Sequence, residues 1–237
     1  MPYFYSESTW LYFILVVPAF IISMIAQVKV KSTYSKMAKV RNTSGYTGAQ
    51  AAAAVLRHYG IMNVRIEETT GKLSDHYDPR SNVIRLSREV YYGSSIAAVG
   101  IACHEAGHAA QHAEGYMPIK VRNSLIPICN IGSYAGIPLA FLGYFLGFEP
   151  LIFIGLGLYS FIAIFQLATL PVEFNASRRA IRVIDDTGLL RDEEEMRGAK
   201  KMLGAAAMTY VAALAVTLAN LLRFVILLLG RGNRRNR

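Results

Sequence analysis

Apolar residues in this chain come in long blocks rather than in alternation. Trp10 to Ala26, Leu125 to Phe148, Pro150 to Leu170 and Met202 to Gly230 are four such stretches. Each is long enough to cross a bilayer, which takes about 20 apolar residues as helix. The second and third are separated only by the turn Gly147-Phe148-Glu149-Pro150, so they predict a hairpin of two spans that returns the chain to the side it left. Between the blocks the pattern changes. Lys29 to Tyr46 is polar and basic and reads as a linker leaving the membrane. Thr47 can cap a helix that runs from Gly48 through Ala51, Val55 and Leu56 to a stop at Gly60. Ile61 to Glu67 and Asn82 to Ser87 alternate, predicting two short strands of a hairpin around the turn-rich loop Gly71 to Arg80. Ser94 and Ser95 then open a helix with apolar spacing at Ile96, Val99 and Ile101, which Gly115 can end.

The expected architecture is a mainly α membrane protein with a small α+β domain, carried on about four transmembrane helices. It divides into an anchor at 1–28, a cytoplasmic domain at 29–123, a transmembrane hairpin at 124–171, cytoplasmic helices at 172–203, and a hydrophobic helix with a basic tail at 204–237. A hydrophobic share of 53% against 17% charged residues agrees with that class. Charge sets the orientation. Thirteen Lys or Arg lie between Lys29 and Arg122 and seven between Glu173 and Lys201, whereas Met1 to Thr9 and the hairpin turn carry none. The positive-inside rule therefore puts the polar segments in the cytoplasm and Met1 outside. No Lys or Arg precedes the first block, so it is not a cleavable signal peptide. The net charge of +9 follows from topology and anionic lipid. Nucleic acid is excluded as a partner, because no basic stripe is interleaved with aromatics and no reader motif occurs. The two cysteines, Cys103 and Cys129, imply no disulfide. The fourth block carries Arg223, and the tail adds Arg231, Arg234, Arg235 and Arg237. A span there puts these charges outside, against the rule, yet one Arg near a helix end can snorkel to the headgroups, and a span is the expectation.

The candidate chemistry sits in His104-Glu105-Ala106-Gly107-His108. Histidines four apart share one helical face, so both imidazoles can reach one cation. Zn2+ suits such ligands, and Glu105 is placed as general base toward a water that the cation acidifies. The chemistry supported is hydrolysis, typically of a peptide bond. His112 cannot be the third ligand, since a straight helix sets it about 12 Å from His104 along the axis; it reads as a solvated residue or one behind the ligands. The first carboxylate after the hairpin returns is Glu173, two residues past Pro171, and Pro near the first turn of a new helix would hold it rigidly. The proposed ligands are thus His104, His108 and Glu173. The plainer reading is that Glu173 complements the positive end of its helix. In the loop, Asp75, Asp78 and Pro79 are turn formers, while His76 or Tyr77 could donate to a developing oxyanion; both readings stand. A free edge along Asn82 to Ser87 would let an extended peptide add as a strand. Asp185-Asp186 and Asp192 to Glu195 read mostly as a solvated charged face, with a binding patch for basic substrates as the lesser alternative.

Helix, membrane hairpin and glutamate helix in this order resemble the HtpX-type bacterial membrane metalloproteases and the CAAX prenyl proteases. The closer resemblance is to the YugP-like family of neutral zinc metallopeptidases. It rests on Leu73-Ser74-Asp75-His76-Tyr77-Asp78-Pro79 with Val83 to Ser87, on Ala102 to Ala109 around the histidines, and on Leu170-Pro171-Val172-Glu173-Phe174-Asn175-Ala176-Ser177. The resemblance implies a zincin-like cytoplasmic catalytic domain in the bacterial inner membrane, with Glu105 as base and Glu173 as third ligand. One position departs from the HtpX-type pattern: Ser177 stands where those proteins carry an Asp. Ser177 can accept a ligand histidine's hydrogen bond without the charge. Arg178 and Arg179 could serve the oxyanion or anchor lipid. The expected function is a membrane-embedded zinc endopeptidase acting on a protein or peptide substrate associated with the bilayer. The alternative is a zinc-binding but catalytically inactive scaffold. A metal transporter is disfavoured, because His58, His76, His104, His108 and His112 all lie outside the apolar blocks.

Overall fold

The structure, a computed structural model, describes residues 9–235, with side chains as far as Leu227. The segment before Thr9 and the side chains of the tail arginines lie outside the described residues. In chain order the elements are α1 (Thr9–Met37, with a π-helical stretch at Tyr12–Val16), α2 (Gly48–His58), β1 (Arg65–Thr69), β2 (His76–Asp78), β3 (Val83–Ser87), α3 (Arg88–Tyr91), α4 (Ile96–Ala113), α5 (Met117–Leu146), α6 (Glu149–Thr187) and α7 (Glu193–Arg235). The chain is mainly helical, and α1, α5, α6 and α7 are each long and apolar enough to cross a membrane.

Two compact units are built from these elements. One takes Met1–Gln27, Val121–Thr169 and Thr209–Arg237. Within it α5 and α6 meet backbone to backbone: a Cβ on Gly132 would fall 2.4 Å from the Leu158 carbonyl oxygen, and one on Gly155 2.5 Å from that of Gly136. Small residues at such contacts are how apolar helices associate where lipid supplies no hydrophobic drive. Phe20, Ile22, Ile25, Phe145 and Phe153 stay exposed, as side chains facing lipid would. The Arg223 guanidinium stacks over the Tyr12 and Phe224 rings, each 5.3 Å from its centroid.

The second unit takes Val28–Lys120 and Leu170–Met208. Its centre is α4, which is buried on most of its circumference and is therefore apolar nearly all round. Ala97, Ala98, Val99, Ala102, Cys103, Ala106 and Ala110 pack with Val55 and Leu56 of α2, Ile84 and Leu86 of β3, Val183 and Ile184 of α6, and Ala199 and Met202 of α7. Thr47 caps α2 by accepting from Gln50 N, while Gln50 accepts from Thr47 N in return.

Four sequence expectations need correction here. The strands do not form a hairpin: β1 pairs with β3 in parallel, and β2, unforeseen inside the loop, pairs with β3 antiparallel, giving the order β1-β3-β2. Hence β3 is the central strand, and Asn82 to Ser87 offers no free edge to a peptide. Lys29 to Tyr46 is not a linker, since α1 continues to Met37 and the following turn is pinned by buried Asn42, which accepts from Tyr46 N and donates to Ser94 O. Glu195 is not solvated; it is buried, accepts from the backbone of Thr43 and Arg191, and ties that turn to the start of α7. Finally, Pro171 opens no new helix, because α6 runs through it without a break.

Candidate metal centre

Ser95 fixes the start of α4 by accepting from Ala98 N, and Gly115, with φ of +66°, ends the segment. Helical spacing then stacks His104 and His108 with ring centroids 4.7 Å apart and planes at 82°. Between them Gly107 lets α6 come close: a Cβ there would stand 2.7 Å from the Ala176 carbonyl oxygen. Glu173 and Ser177, one helical turn apart on α6, flank that contact. Glu173 Oε2 lies 3.3 Å from His104 Nε2 and its Oε1 3.7 Å from His108 Nε2. One ligand-type atom from each of the three residues falls within 4.8 Å of the others. Tetrahedral zinc with bonds of about 2.1 Å sets neighbouring ligand atoms about 3.4 Å apart; each ring nitrogen lies near that distance from one of the two Glu173 oxygens, so small side-chain adjustments would bring all three residues onto one ion. The side chains of His104, His108 and Glu173 are 16%, 12% and 7% exposed, so the charges are largely shielded from solvent. Because Glu173 lies deep inside α6, no helix N-terminus accounts for it.

Polar neighbours hold each ring. Ser177 Oγ is 3.1 Å from His104 Nδ1, the contact that sequence reading assigned to it. Gln111 Oε1 is 3.0 Å from His108 Nδ1, and its Nε2 donates to Val172 O and Asn175 Oδ1. Sequence reading passed over Gln111. The available signal was an amide in an alanine-rich buried run, three residues past His108 and on its face of the helix.

Glu105 stands beside the histidines and accepts from the Tyr77 backbone N–H at 3.0 Å. Burial pushes the Glu105 carboxyl up, and the flanking imidazoles of His104 and His108 oppose that rise. Burial works against a charged His108 ring, but hydrogen bonding to Glu173 and the Glu105 charge outweigh it and raise its pKa. Thus β2 borders the candidate base through its main chain. Its position is secured by Asp75, whose carboxylate accepts from Ser87 N and Ser87 Oγ. The Tyr77 hydroxyl donates to Asn82 Oδ1 at 2.8 Å and sits 3.4 Å from His112 Nδ1. His76 is exposed, with Nδ1 2.7 Å from Ser74 O. Arg178 is also exposed, and with Tyr59, Glu114, Asn175, Arg179 and Arg182 it lines a polar cleft. Cys103 is fully buried and its thiol pKa is pushed up by that burial, so it is core.

Comparison with known proteins agrees with this chemistry. A family model described as "Putative neutral zinc metallopeptidase" matches residues 12–229. The "Putative membrane protease YugP" of Bacillus subtilis (strain 168) is 48% identical over 220 residues, covering 92% of this chain and 97% of that one. No solved structure matches the chain.

Proposed function

From the premise that the chain belongs to the neutral zinc metallopeptidase family, we propose that it is a membrane-embedded, zinc-dependent endopeptidase. The observation that carries the reading is the convergence of His104, His108 and Glu173 beside Glu105. These three would hold the ion, which when bound supplies a Lewis acid that polarises a carbonyl and acidifies water. Glu105 takes the proton from the attacking water and returns it to the leaving amine. Burial raises the pKa of its carboxyl, the direction that helps it hold the proton between the two transfers. A substrate strand would lie along the outer edge of β2 rather than β3, because β2 is the strand whose N–H at Tyr77 already points at Glu105. There an incoming carbonyl could take over the Tyr77 N–H and release Glu105 for base duty. His76, Tyr77 and Arg178 are the candidates for contact with the developing oxyanion.

Charge supports placing the catalytic unit, which we read as zincin-like, in the cytoplasm. Of the 25 Lys and Arg, 12 fall in Val28–Lys120 and seven in Leu170–Met208. Substrates would be proteins or peptides at the bilayer surface, with no role for nucleic acid. The test is the full chain in detergent, assayed for bound zinc and for cleavage of an unfolded protein and of a membrane protein. Glu105→Gln is expected to keep zinc and lose cleavage by about 10²–10⁴-fold or more. Undiminished cleavage by that variant overturns the mechanism, and zinc without cleavage by the parent chain favours the scaffold.

A further inference from the structure

We propose that Gln111 is a positioning residue for the metal centre: its amide selects the His108 tautomer that presents Nε2 to the ion and locks α4 to α6 at that setting. The inference rests on the zinc reading above and goes on to say what keeps one ligand usable.

Hydrogen-bond accounting around the amide is closed. Val172 O can only accept, so the Gln111 atom 2.8 Å from it is the NH2 nitrogen. Asn175 Oδ1 receives Arg179 Nε at 2.7 Å and is therefore an oxygen, which accepts the second amide hydrogen at 2.9 Å. Both hydrogens are then used, and the atom 3.0 Å from His108 Nδ1 is the carbonyl oxygen. That oxygen cannot donate, so Nδ1 carries a proton, and Nε2, on the Glu173 side of the ring, is the nitrogen that would bind the ion once its own proton is given up. A flipped amide would set its oxygen against two acceptors. Gln111 is 0% exposed, so water cannot relieve such a mismatch. The arrangement is anchored further out by Arg179, which bonds Glu114 at 2.7 Å and lies over the Tyr59 and Tyr116 rings.

The experiment compares the parent chain, Gln111→Met, Gln111→Glu and His104→Ala, all full length in detergent. Zinc affinity is read by chelator competition, the visible spectrum is read with Co2+ as probe, and melting is followed in the metal-free state. Gln111→Met keeps the volume and removes every hydrogen bond; its zinc Kd is expected to rise about 10–100-fold, with a weakened Co2+ spectrum. Gln111→Glu keeps an acceptor for His108 Nδ1 and is expected to recover most of that affinity, although its metal-free melting temperature falls as the contacts to α6 are lost. A purely structural role would lower melting in both variants and leave the affinity of the folded protein unchanged. That result, or a glutamate variant as weak as the methionine one, overturns the proposal. Zinc binding that survives His104→Ala overturns the metal site itself, and the proposal with it.

Discussion

Gly107→Ala isolates the helix contact on which the candidate site depends. Gly107 lies in the middle of α4, where alanine is intrinsically better than glycine by about 1 kcal/mol. Backbone propensity alone therefore predicts a more stable protein. The added methyl would stand 2.7 Å from the Ala176 carbonyl oxygen and 3.3 Å from its carbonyl carbon, both parts of a helix backbone that cannot rotate away. Reaching an ordinary contact of 3.4 Å needs a separation of roughly 0.7 Å between α4 and α6. Zinc–ligand distances tolerate about 0.2 Å, so a shift of that size pulls Glu173 out of reach of an ion held by both rings. Overpacking of this kind costs about 1–3 kcal/mol, enough to cancel or reverse the propensity gain. The expected outcome is a loss of stoichiometric zinc after dialysis against a weak chelator, with no rise in melting temperature. Gly204→Ala is the control, because nothing lies within 4 Å of a Cβ at that helical position; it should melt no lower than the parent and keep its zinc. A Gly107→Ala protein that binds zinc like the parent and melts higher would refute the packing argument.

Glu195→Ala should destabilise the chain by about 2–3 kcal/mol in denaturant titration and expose the turn after α1 to protease, because it strands the buried donors at Thr43 and Arg191. The hydrogen bond from Arg179 holds the Glu114 carboxyl below its usual value against the smaller opposing effect of burial. A depressed folded pKa means that the contribution is present above the unfolded value of about 4.3 and is lost as pH falls through the folded one. Glu114→Gln should accordingly melt below the parent at pH 7, with a difference that shrinks on acidification below pH 4. Cys103 should resist alkylation in the native protein and react only on unfolding, since burial both hides the thiol and raises its pKa.

The parts of this fold that were legible in the sequence are those with a local physical cause. Capping at Thr47 and Ser95 and the left-handed glycines at Gly60 and Gly115 bound α2 and α4 as read. The spacing of His104 and His108 fixed their common face. What escaped depends on partners distant along the chain. β2 is three residues long and exists because β3 offers it a ladder, and the parallel pairing of β1 with β3 leaves no local mark. Glu195 looked solvated among Asp192, Glu193 and Glu194, and only the turn around Thr43 shows why that one carboxylate is buried. Gln111 resembled an ordinary helical polar residue until α6 supplied its second and third partners.

Pro171 shows how tertiary packing reverses a local rule. It has no N–H to give the Leu167 carbonyl, and an interior proline costs a helix about 3 kcal/mol or more. Yet α6 continues, and Val172, Ala176, Ala180, Val183 and Ile184 all lie fully buried along one stripe. Burial of that stripe offsets the lost bond and fixes the rotation of α6 about its own axis. Glu173 and Ser177 each follow a stripe residue by one position, about 100° round the helix, and so form the neighbouring stripe that meets His104 and His108. The ligand is therefore aimed by the apolar residues beside it: inserting one residue between Pro171 and Val172 would keep the packed stripe and its Glu173 in register with α4, whereas inserting one between Glu173 and Ala176 would swing the two apart.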